Sequence, residues 1–151
     1  MSENPSEENV TSIIVGGGSS TRMGFDKLFA QLGNQTVIEH SIHAFIKCSF
    51  VSNLIIAISN KSRERLENIV AKIKTDKDIT IIEGGTTRRN SVAKGLNLLN
   101  EKCSYVAVHD GARPWITPKQ ISKVLECAKE HGAAASGRPI TDTIKKCDKD
   151  S

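Results

Sequence analysis

A glycine-rich segment near the start of the chain carries the residue types best suited to bind phosphate. It reads GGGSSTRMG over residues 16–24 and is followed by Asp26 and Lys27. Glycines let the backbone approach a phosphate chain closely enough for its N–H groups to donate hydrogen bonds, and Arg22 and Lys27 add positive charge. Glycines alone would equally suit a tight turn after a strand. Because two basic residues share the segment, it favours a triphosphate ligand.

Two common glycine-rich loops do not match this segment. A P-loop requires G-x-x-x-x-G-K-[ST], whereas Gly24 is followed by Phe25. A dinucleotide-binding fingerprint requires a third glycine where Thr21 stands, and an acidic residue at the end of the second strand where Ser59 stands. The chain is therefore neither a typical P-loop NTPase nor a typical NAD-dependent dehydrogenase.

A second polar loop reads GGTTRRNS over residues 84–91. Its backbone and the Ser91 hydroxyl could read the hydrogen-bonding edge of a nucleotide base. Thr87 or Asn90 could instead cap the helix that follows, which is the commoner role of such residues.

A third loop, HDGARP over residues 109–114, places an acid and a base close together. Asp110 could contact a ribose or hold Mg²⁺, and Arg113 could bind a substrate phosphate. The structural alternative is an Asp–Arg ion pair. His109 is interpreted as a core histidine with its hydrogen bonds satisfied.

The elements that position these loops alternate between strands and helices. Buried strands are predicted from near-continuous apolar runs at residues 11–15, 54–58, 79–82, 105–108 and 133–136. Helices are predicted from a capping box at Thr36 and Glu39, a cap at Ser62 for a run to Lys74, and a start at Thr117 with a stop at Gly132.

This alternation predicts an α/β fold with a mostly parallel sheet and helices on both faces. Ligands bind at the carboxyl ends of such strands. Because the three polar loops follow the first, third and fourth strands, they are expected to meet in one crevice.

Length and charge limit the remaining function classes. The 151 residues suit one main domain, and the net charge of +4 is dispersed rather than clustered, which disfavours nucleic acid as a partner. No apolar run approaches the roughly 20 residues of a membrane span, and the polar first residues lack the pattern of a secretory signal. We therefore expect a cytoplasmic protein with a disordered tail at 1–10, a nucleotide-binding domain at 11–137 and the start of a projecting arm at 138–151.

Four motifs in order resemble the 2-C-methyl-D-erythritol 4-phosphate cytidylyltransferases. The first glycine segment is similar to the family's Ala-Ala-Gly turn, which ends in Arg-Met and then Lys, with Gly16 and Gly17 replacing two alanines. Residues 84–92 resemble Gly-Gly-x-x-Arg-x-x-Ser-Val, although the family often has aspartate at Thr86. Residues 108–114 resemble Val-His-Asp-Ala-Ala-Arg-Pro, and residues 139–145 resemble Pro-x-x-Asp-Thr-x-Lys.

The resemblance implies a Rossmann-like fold of the nucleotide-diphospho-sugar transferase type and a step of the non-mevalonate isoprenoid pathway. An oxygen of the methylerythritol phosphate would attack the α-phosphorus of CTP, and pyrophosphate would leave with Mg²⁺. Implied roles are catalysis by Arg22 and Lys27, nucleotide binding by Gly16, Gly17, Gly18, Gly85, Thr86, Ser91 and Asp110, and substrate binding by Asp110, Arg113 and Thr143. Asp110 is also the candidate metal ligand, and Thr143 would serve the neighbouring subunit of a homodimer.

Two other functions fit the same residues. A ribitol 5-phosphate cytidylyltransferase shares the fold and most of these motifs. The other is a nucleotide-binding module without turnover, because family members continue beyond these motifs to a further arginine and a late lysine.

Overall fold

Strands and helices alternate in the computed structural model, which describes residues 9–16, 26–141 and 143. In chain order the elements are β1 (Asn9–Val15), a short 3-10 helix (Lys27–Phe29), β2 (Gln31–Leu32), β3 (Gln35–Thr36), α1 (Val37–Ile46), β4 (Val51–Ile58), α2 (Asn60–Val70), β5 (Asp78–Glu83), α3 (Arg88–Leu96), β6 (Cys103–Asp110) and α4 (Pro118–His131). The first four predicted strands are confirmed as β1, β4, β5 and β6.

The main sheet of the described residues is parallel throughout, in the order β5-β4-β1-β6. β1 is central, and Ile13 and Ile14 on its opposite faces are both fully buried. The chain builds the sheet outward from β1 to β5 on one side and then returns to add β6 on the other. Strand order therefore reverses between β1 and β6, which is where open α/β sheets form their ligand crevice.

Helices cover both faces of the sheet, as predicted. Ile42 of α1, Leu66 of α2 and Leu125 of α4 lie in the apolar cluster on one face. On the other face, Val92 of α3 packs against the cluster that contains Ile13. The apolar runs of the central strands follow from this burial on two sides.

The capping signals at two helices are confirmed. The Thr36 backbone N–H donates to the Glu39 carboxylate at 2.7 Å at the start of α1. At α4, Thr117 Oγ1 accepts a hydrogen bond from the Gln120 N–H at 3.3 Å, and Gly132 ends the helix with φ of 84°. Such a left-handed residue after a helix favours glycine.

The cap predicted at Ser62 is wrong. Helix α2 already begins at Asn60, with Ser59 in extended conformation as its N-cap residue, and it ends at Val70 rather than Lys74. Ser59 follows directly from β4, so the chain turns into the helix as soon as the strand ends. Ser62 instead donates its hydroxyl hydrogen bond to Asp26 at 3.0 Å.

The strand predicted at residues 133–136 is also wrong, because this segment has no regular secondary structure. Residues 132–136 face residues 104–109 of β6 across a cavity of about 500 Å³. A strand needs a neighbour within hydrogen-bonding distance, and three alanines in a row have little intrinsic preference for one.

The domain limits can be compared only in part. β1 begins at Asn9, two residues before the predicted domain start, while residues 1–8 of the predicted tail lie outside the described residues. In the predicted arm, residues 138–141 and 143 are without regular structure, and residue 142 and residues 144–151 lie outside the described part. None of the helices in the described ranges is long and apolar enough to cross a membrane.

Candidate active site

The three polar loops predicted from the sequence all follow strands at the carboxyl edge of the sheet. Direct hydrogen bonds tie them to the sheet: Gly16 N–H donates to the Ala57 carbonyl at 2.8 Å, Gly84 N–H to Ile58 at 2.8 Å, and Gly111 N–H to Val15 at 2.9 Å. The last of these joins the third loop to the end of β1. The predicted convergence at one edge is therefore confirmed for the described parts of these loops.

Gly16 begins the first loop at a tightly packed point. A Cβ atom there would lie 2.9 Å from Leu28 Cδ1, so any larger residue would have to displace a buried leucine. Gly17, Gly18 and Arg22 lie outside the described residues, and their roles stay predictions.

Lys27 lies on a firmly anchored turn. Asp26 accepts the Leu28 backbone N–H at 3.2 Å through one carboxylate oxygen and the Ser62 hydroxyl at 3.0 Å through the other. Leu28 and Phe29 are buried beneath the turn, whereas Lys27 is exposed. The fold thus fixes the backbone at Lys27 and leaves its ammonium group accessible.

In the second loop, the Ser91 hydroxyl is engaged by its own chain. Ser91 is 1% exposed, and its Oγ accepts the Gly85 N–H at 2.9 Å and donates to the Thr87 carbonyl at 3.1 Å. Thr87 caps α3 by accepting the Asn90 N–H at 3.1 Å. Ser91 therefore fixes the Gly85 turn, and direct contact of its hydroxyl with a base stays a prediction.

Thr86 is the exposed tip of this second loop. Its hydroxyl accepts a hydrogen bond from the Asn90 side-chain amide at 3.2 Å. The hydroxyl is thus held on the outer surface of the turn, where a ligand could reach it.

Gly85 is expected to be intolerant of a side chain. A Cβ atom at this position would lie 2.4 Å from Asn90 Cβ and 2.8 Å from the Asn90 carbonyl carbon. Gly85→Ala should therefore lower the free energy of unfolding by about 1–3 kcal/mol, the usual cost of forcing atoms into packed space. Urea denaturation measures this cost. Gly137→Ala is the matched control, since nothing lies within 4 Å of a Cβ there; equal stability of the two variants would contradict the packing argument.

The third loop contains an acidic residue held between two arginines. Arg88 Nε at the start of α3 donates to Asp110 Oδ1 at 2.7 Å, and Arg113 Nε lies 3.0 Å from Asp110 Oδ2. The predicted Asp–Arg ion pair is thus present, with Arg88 as an additional partner. Because Arg88 uses Nε, hydrogen-bonding capacity remains on its terminal amino groups.

Arg88 was not among the site residues predicted from the sequence. The motif signal was present, since the resemblance to Gly-Gly-x-x-Arg places an arginine at this position. Nothing local connects it to Asp110, because the two residues are 22 positions apart.

His109 has a hydrogen-bond partner, as predicted, but it is half-buried and not part of the core. Its Nε2–H donates to the Arg113 carbonyl at 3.1 Å, and its ring centroid lies 5.1 Å from that of Phe45. Burial lowers the pKa of His109 below its ordinary value, which favours the neutral ring.

The described residues do not form a metal site of their own. Both oxygens of Asp110 are within 3.0 Å of arginine nitrogens, and residues 9–16, 26–141 and 143 contain no group of three His, Cys, Asp or Glu side chains that could hold a metal. His40 and His43 lie three positions apart on α1, but no third metal ligand accompanies them in this part of the chain. His40 Nε2 lies 2.8 Å from the Leu32 carbonyl instead.

Thr143 is not joined to the other substrate-side residues. It is exposed and has no regular structure around it. Within the described ranges, no hydrogen bond connects it to Asp110 or Arg113. This arrangement is compatible with the predicted role in a neighbouring subunit, which stays a prediction.

Sequence comparison shows extensive similarity to one family. The family model for 2-C-methyl-D-erythritol 4-phosphate cytidylyltransferase matches residues 10–151. Proteins of that name from Caldanaerobacter subterraneus and Bacillus cytotoxicus are 36% and 40% identical to the chain, over 95% and 90% of its length. The chain covers 64% and 61% of these two relatives, so it spans about three fifths of their length.

Solved structures agree on the fold. A 4-diphosphocytidyl-2C-methyl-D-erythritol synthase from Anaerococcus prevotii superposes with a TM-score of 0.79 at 23% identity, covering 95% of this chain and 62% of that one. A manganese complex of a Mycobacterium tuberculosis protein superposes with a TM-score of 0.60 at 14% identity, covering 82% and 61%. Together with the sequence match along residues 10–151, these findings place the chain in the 2-C-methyl-D-erythritol 4-phosphate cytidylyltransferase family.

Proposed function

We propose that this chain is the nucleotide-binding part of an enzyme that transfers CMP from CTP to 2-C-methyl-D-erythritol 4-phosphate and releases pyrophosphate. The observation that carries the proposal is the placement of the Arg88–Asp110–Arg113 cluster at the same sheet edge as Lys27 and the two glycine turns. Cationic groups at a strand-order reversal suit a substrate made of two phosphorylated molecules.

The nucleotide would lie against the glycine turns. Gly16 and Gly85 pack closely against their own chain, and neither has room for a side chain. We infer that these turns, with Gly17, Gly18, Thr86 and Ser91, seat CTP. Ser91 would act by holding the Gly85 turn in the shape that meets the base edge.

The chemical step needs positioning and charge neutralisation more than a covalent intermediate. An oxygen of the polyol phosphate attacks the α-phosphorus of CTP, the bond to the β-phosphate oxygen breaks, and pyrophosphate leaves. Lys27 and Arg22 would stabilise the negative charge that develops on the transferring and leaving phosphates.

The acceptor would bind on the β6 side. Arg113 and Arg88 are 76% and 59% exposed at their side chains, so both can reach an anionic ligand. Asp110 balances one of the two positive charges and orients both guanidinium groups. A net positive cluster with fixed geometry suits a phosphate monoester.

Mg²⁺ is proposed as a cofactor that arrives with the nucleotide. Phosphate oxygens and water commonly supply most of its ligands, with only one or two carboxylates from the protein. Because Asp110 already forms ion pairs with Arg88 and Arg113, a direct bond from Asp110 to Mg²⁺ would require one of these arginines to move. A homodimer and a cytoplasmic location likewise stay predictions of the sequence.

Nucleotide preference provides the first test. CTP with Mg²⁺ should raise the melting temperature of the folded chain more than ATP or GTP does, because at equal concentration the ligand that binds the native state more tightly stabilises it more. Differential scanning fluorimetry at equal nucleotide concentrations measures the difference. Equal shifts from all three nucleotides would remove the claim of cytosine selection.

Acceptor preference provides the second assay. Pyrophosphate release is compared with 2-C-methyl-D-erythritol 4-phosphate and with ribitol 5-phosphate. Faster turnover with the ribitol compound would replace the proposed acceptor, and CTP binding without turnover on either compound would favour a binding module.

A further inference from the structure

We propose that Ser41 of α1, together with His109, is a positioning residue that fixes the turn carrying Arg113. Ser41 lies outside the three polar loops, and His109 is the first residue of the third. Their importance for the acceptor phosphate rests on the function proposed above, whereas their hold on the turn does not.

Ser41 places a hydroxyl in an otherwise apolar position. It is 0% exposed, and its helix neighbours Ile38, Ile42 and Phe45 all belong to the main apolar cluster. A buried hydroxyl is costly unless it is hydrogen-bonded. Its partner therefore indicates why a polar residue occurs on this face of α1.

The partners of the Ser41 hydroxyl are backbone carbonyls of the third loop. Oγ lies 3.0 Å from the Gly111 carbonyl, to which it donates, and 3.4 Å from the Arg113 carbonyl. These contacts connect positions that are 70 and 72 residues apart in the chain. The hydroxyl thus links α1 directly to the turn between Asp110 and Arg113.

One helical turn further along, α1 supports the same loop a second time. The Phe45 ring packs against the His109 ring at 5.1 Å, and His109 Nε2–H donates to the Arg113 carbonyl at 3.1 Å. Residues four apart on a helix lie on the same face, so Ser41 and Phe45 act on the loop together.

Two further backbone hydrogen bonds fix the turn between Asp110 and Arg113. Arg113 N–H donates to the Asp110 carbonyl at 3.0 Å, and Gly111 N–H donates to Val15 at 2.9 Å. With its carbonyls held from α1 and His109, the backbone of Arg113 has a fixed position relative to Asp110. A side chain that is 76% exposed can keep a defined direction only if its backbone is fixed in this way.

The test is Ser41→Ala, compared with Ser122→Ala as a control for loss of a helix hydroxyl elsewhere. Ser122 Oγ lies 3.5 Å from Cys48 Sγ, away from the turn. Hydrogen exchange of the Gly111 and Arg113 amides should accelerate about tenfold in Ser41→Ala and not in Ser122→Ala, because the buried Gly111 carbonyl loses its side-chain donor and the turn loses its hydrogen bond to α1. Unchanged exchange at both amides would overturn the proposal.

A second pair of variants keeps the proposal testable if Ser41→Ala folds poorly. His109→Gln retains a side-chain N–H donor, whereas His109→Leu removes it. His109→Leu should accelerate exchange at Arg113, and His109→Gln should restore part of the protection. Equal exchange in the two variants would show that packing, rather than the hydrogen bond, holds the turn.

Ligand binding separates a positioning role from a merely structural one. Ser41→Ala should weaken binding of 2-C-methyl-D-erythritol 4-phosphate by about tenfold, while its CTP-induced melting shift stays equal to that of the unmodified chain. Equal weakening of both ligands would overturn the positioning role. If the unmodified chain fails to bind the polyol phosphate, the proposed acceptor is wrong, and the exchange data still decide whether Ser41 holds the turn.

Discussion

Lys27→Ala is expected to lower turnover by about a hundredfold to a thousandfold, the usual cost of removing one group that stabilises charge in the transition state. Lys27 is exposed on a turn whose backbone is anchored by Asp26. The substitution removes the ammonium group without disturbing the buried Leu28 and Phe29. The loss should therefore appear mainly in kcat, with a small change in the melting temperature.

The assay is pyrophosphate release with CTP, Mg²⁺ and 2-C-methyl-D-erythritol 4-phosphate. The Lys27→Ala substitution is made in a protein whose unmodified form turns over these substrates. Lys123→Ala, an exposed lysine on α4, is the matched control. If Lys27→Ala turns over at nearly the rate of the unmodified protein, Lys27 is a solvated surface residue. Arg22 would then be the residue proposed to stabilise the transferring phosphate.

Asp110→Asn should lower kcat/KM for the polyol phosphate by about a hundredfold. The substitution keeps the side-chain size but removes the negative charge that pairs with Arg88 and Arg113. Without that charge the two guanidinium groups repel each other and lose their common orientation, and misplacement of a binding group by about 1 Å can cost a hundredfold in rate. In a double variant that also replaces Arg88 or Arg113, the loss in kcat/KM should be larger than in Asp110→Asn alone. It should remain smaller than the sum of the two single-variant losses, expressed as free energies, because the three residues act as a unit.

Steady-state kinetics with varied polyol phosphate provides the measurement. Asp78→Asn is the control, since Asp78 is an exposed aspartate at the amino end of β5, on the opposite edge of the sheet. Full additivity between Asp110→Asn and Arg88→Ala would contradict the arrangement of a shared cluster.

Local patterns predicted most of the fold because its strands and helix ends depend on neighbouring residues. The apolar runs of β1 and β4 indicated strands buried on both faces, and the order of strands and helices indicated a parallel sheet. The capping residues at Thr36 and Thr117 fixed two helix starts through contacts only three positions away. The strand prediction at residues 133–136 was wrong because a strand also requires a neighbouring strand to pair with. A local sequence pattern carries no information about that neighbour.

For the site, the sequence by itself placed three polar loops at strand ends and predicted that they carry the chemistry, and their motifs identified the family. Only the tertiary structure decided what individual side chains do. In the folded protein, Ser91 accepts a hydrogen bond from Gly85, and Arg88 forms an ion pair with Asp110. The Ser41 hydroxyl donates to a loop 70 residues away. The physical reason is that motifs record residue types along the chain, whereas hydrogen bonds and ion pairs depend on distances that arise only when β1, β6 and α1 pack together.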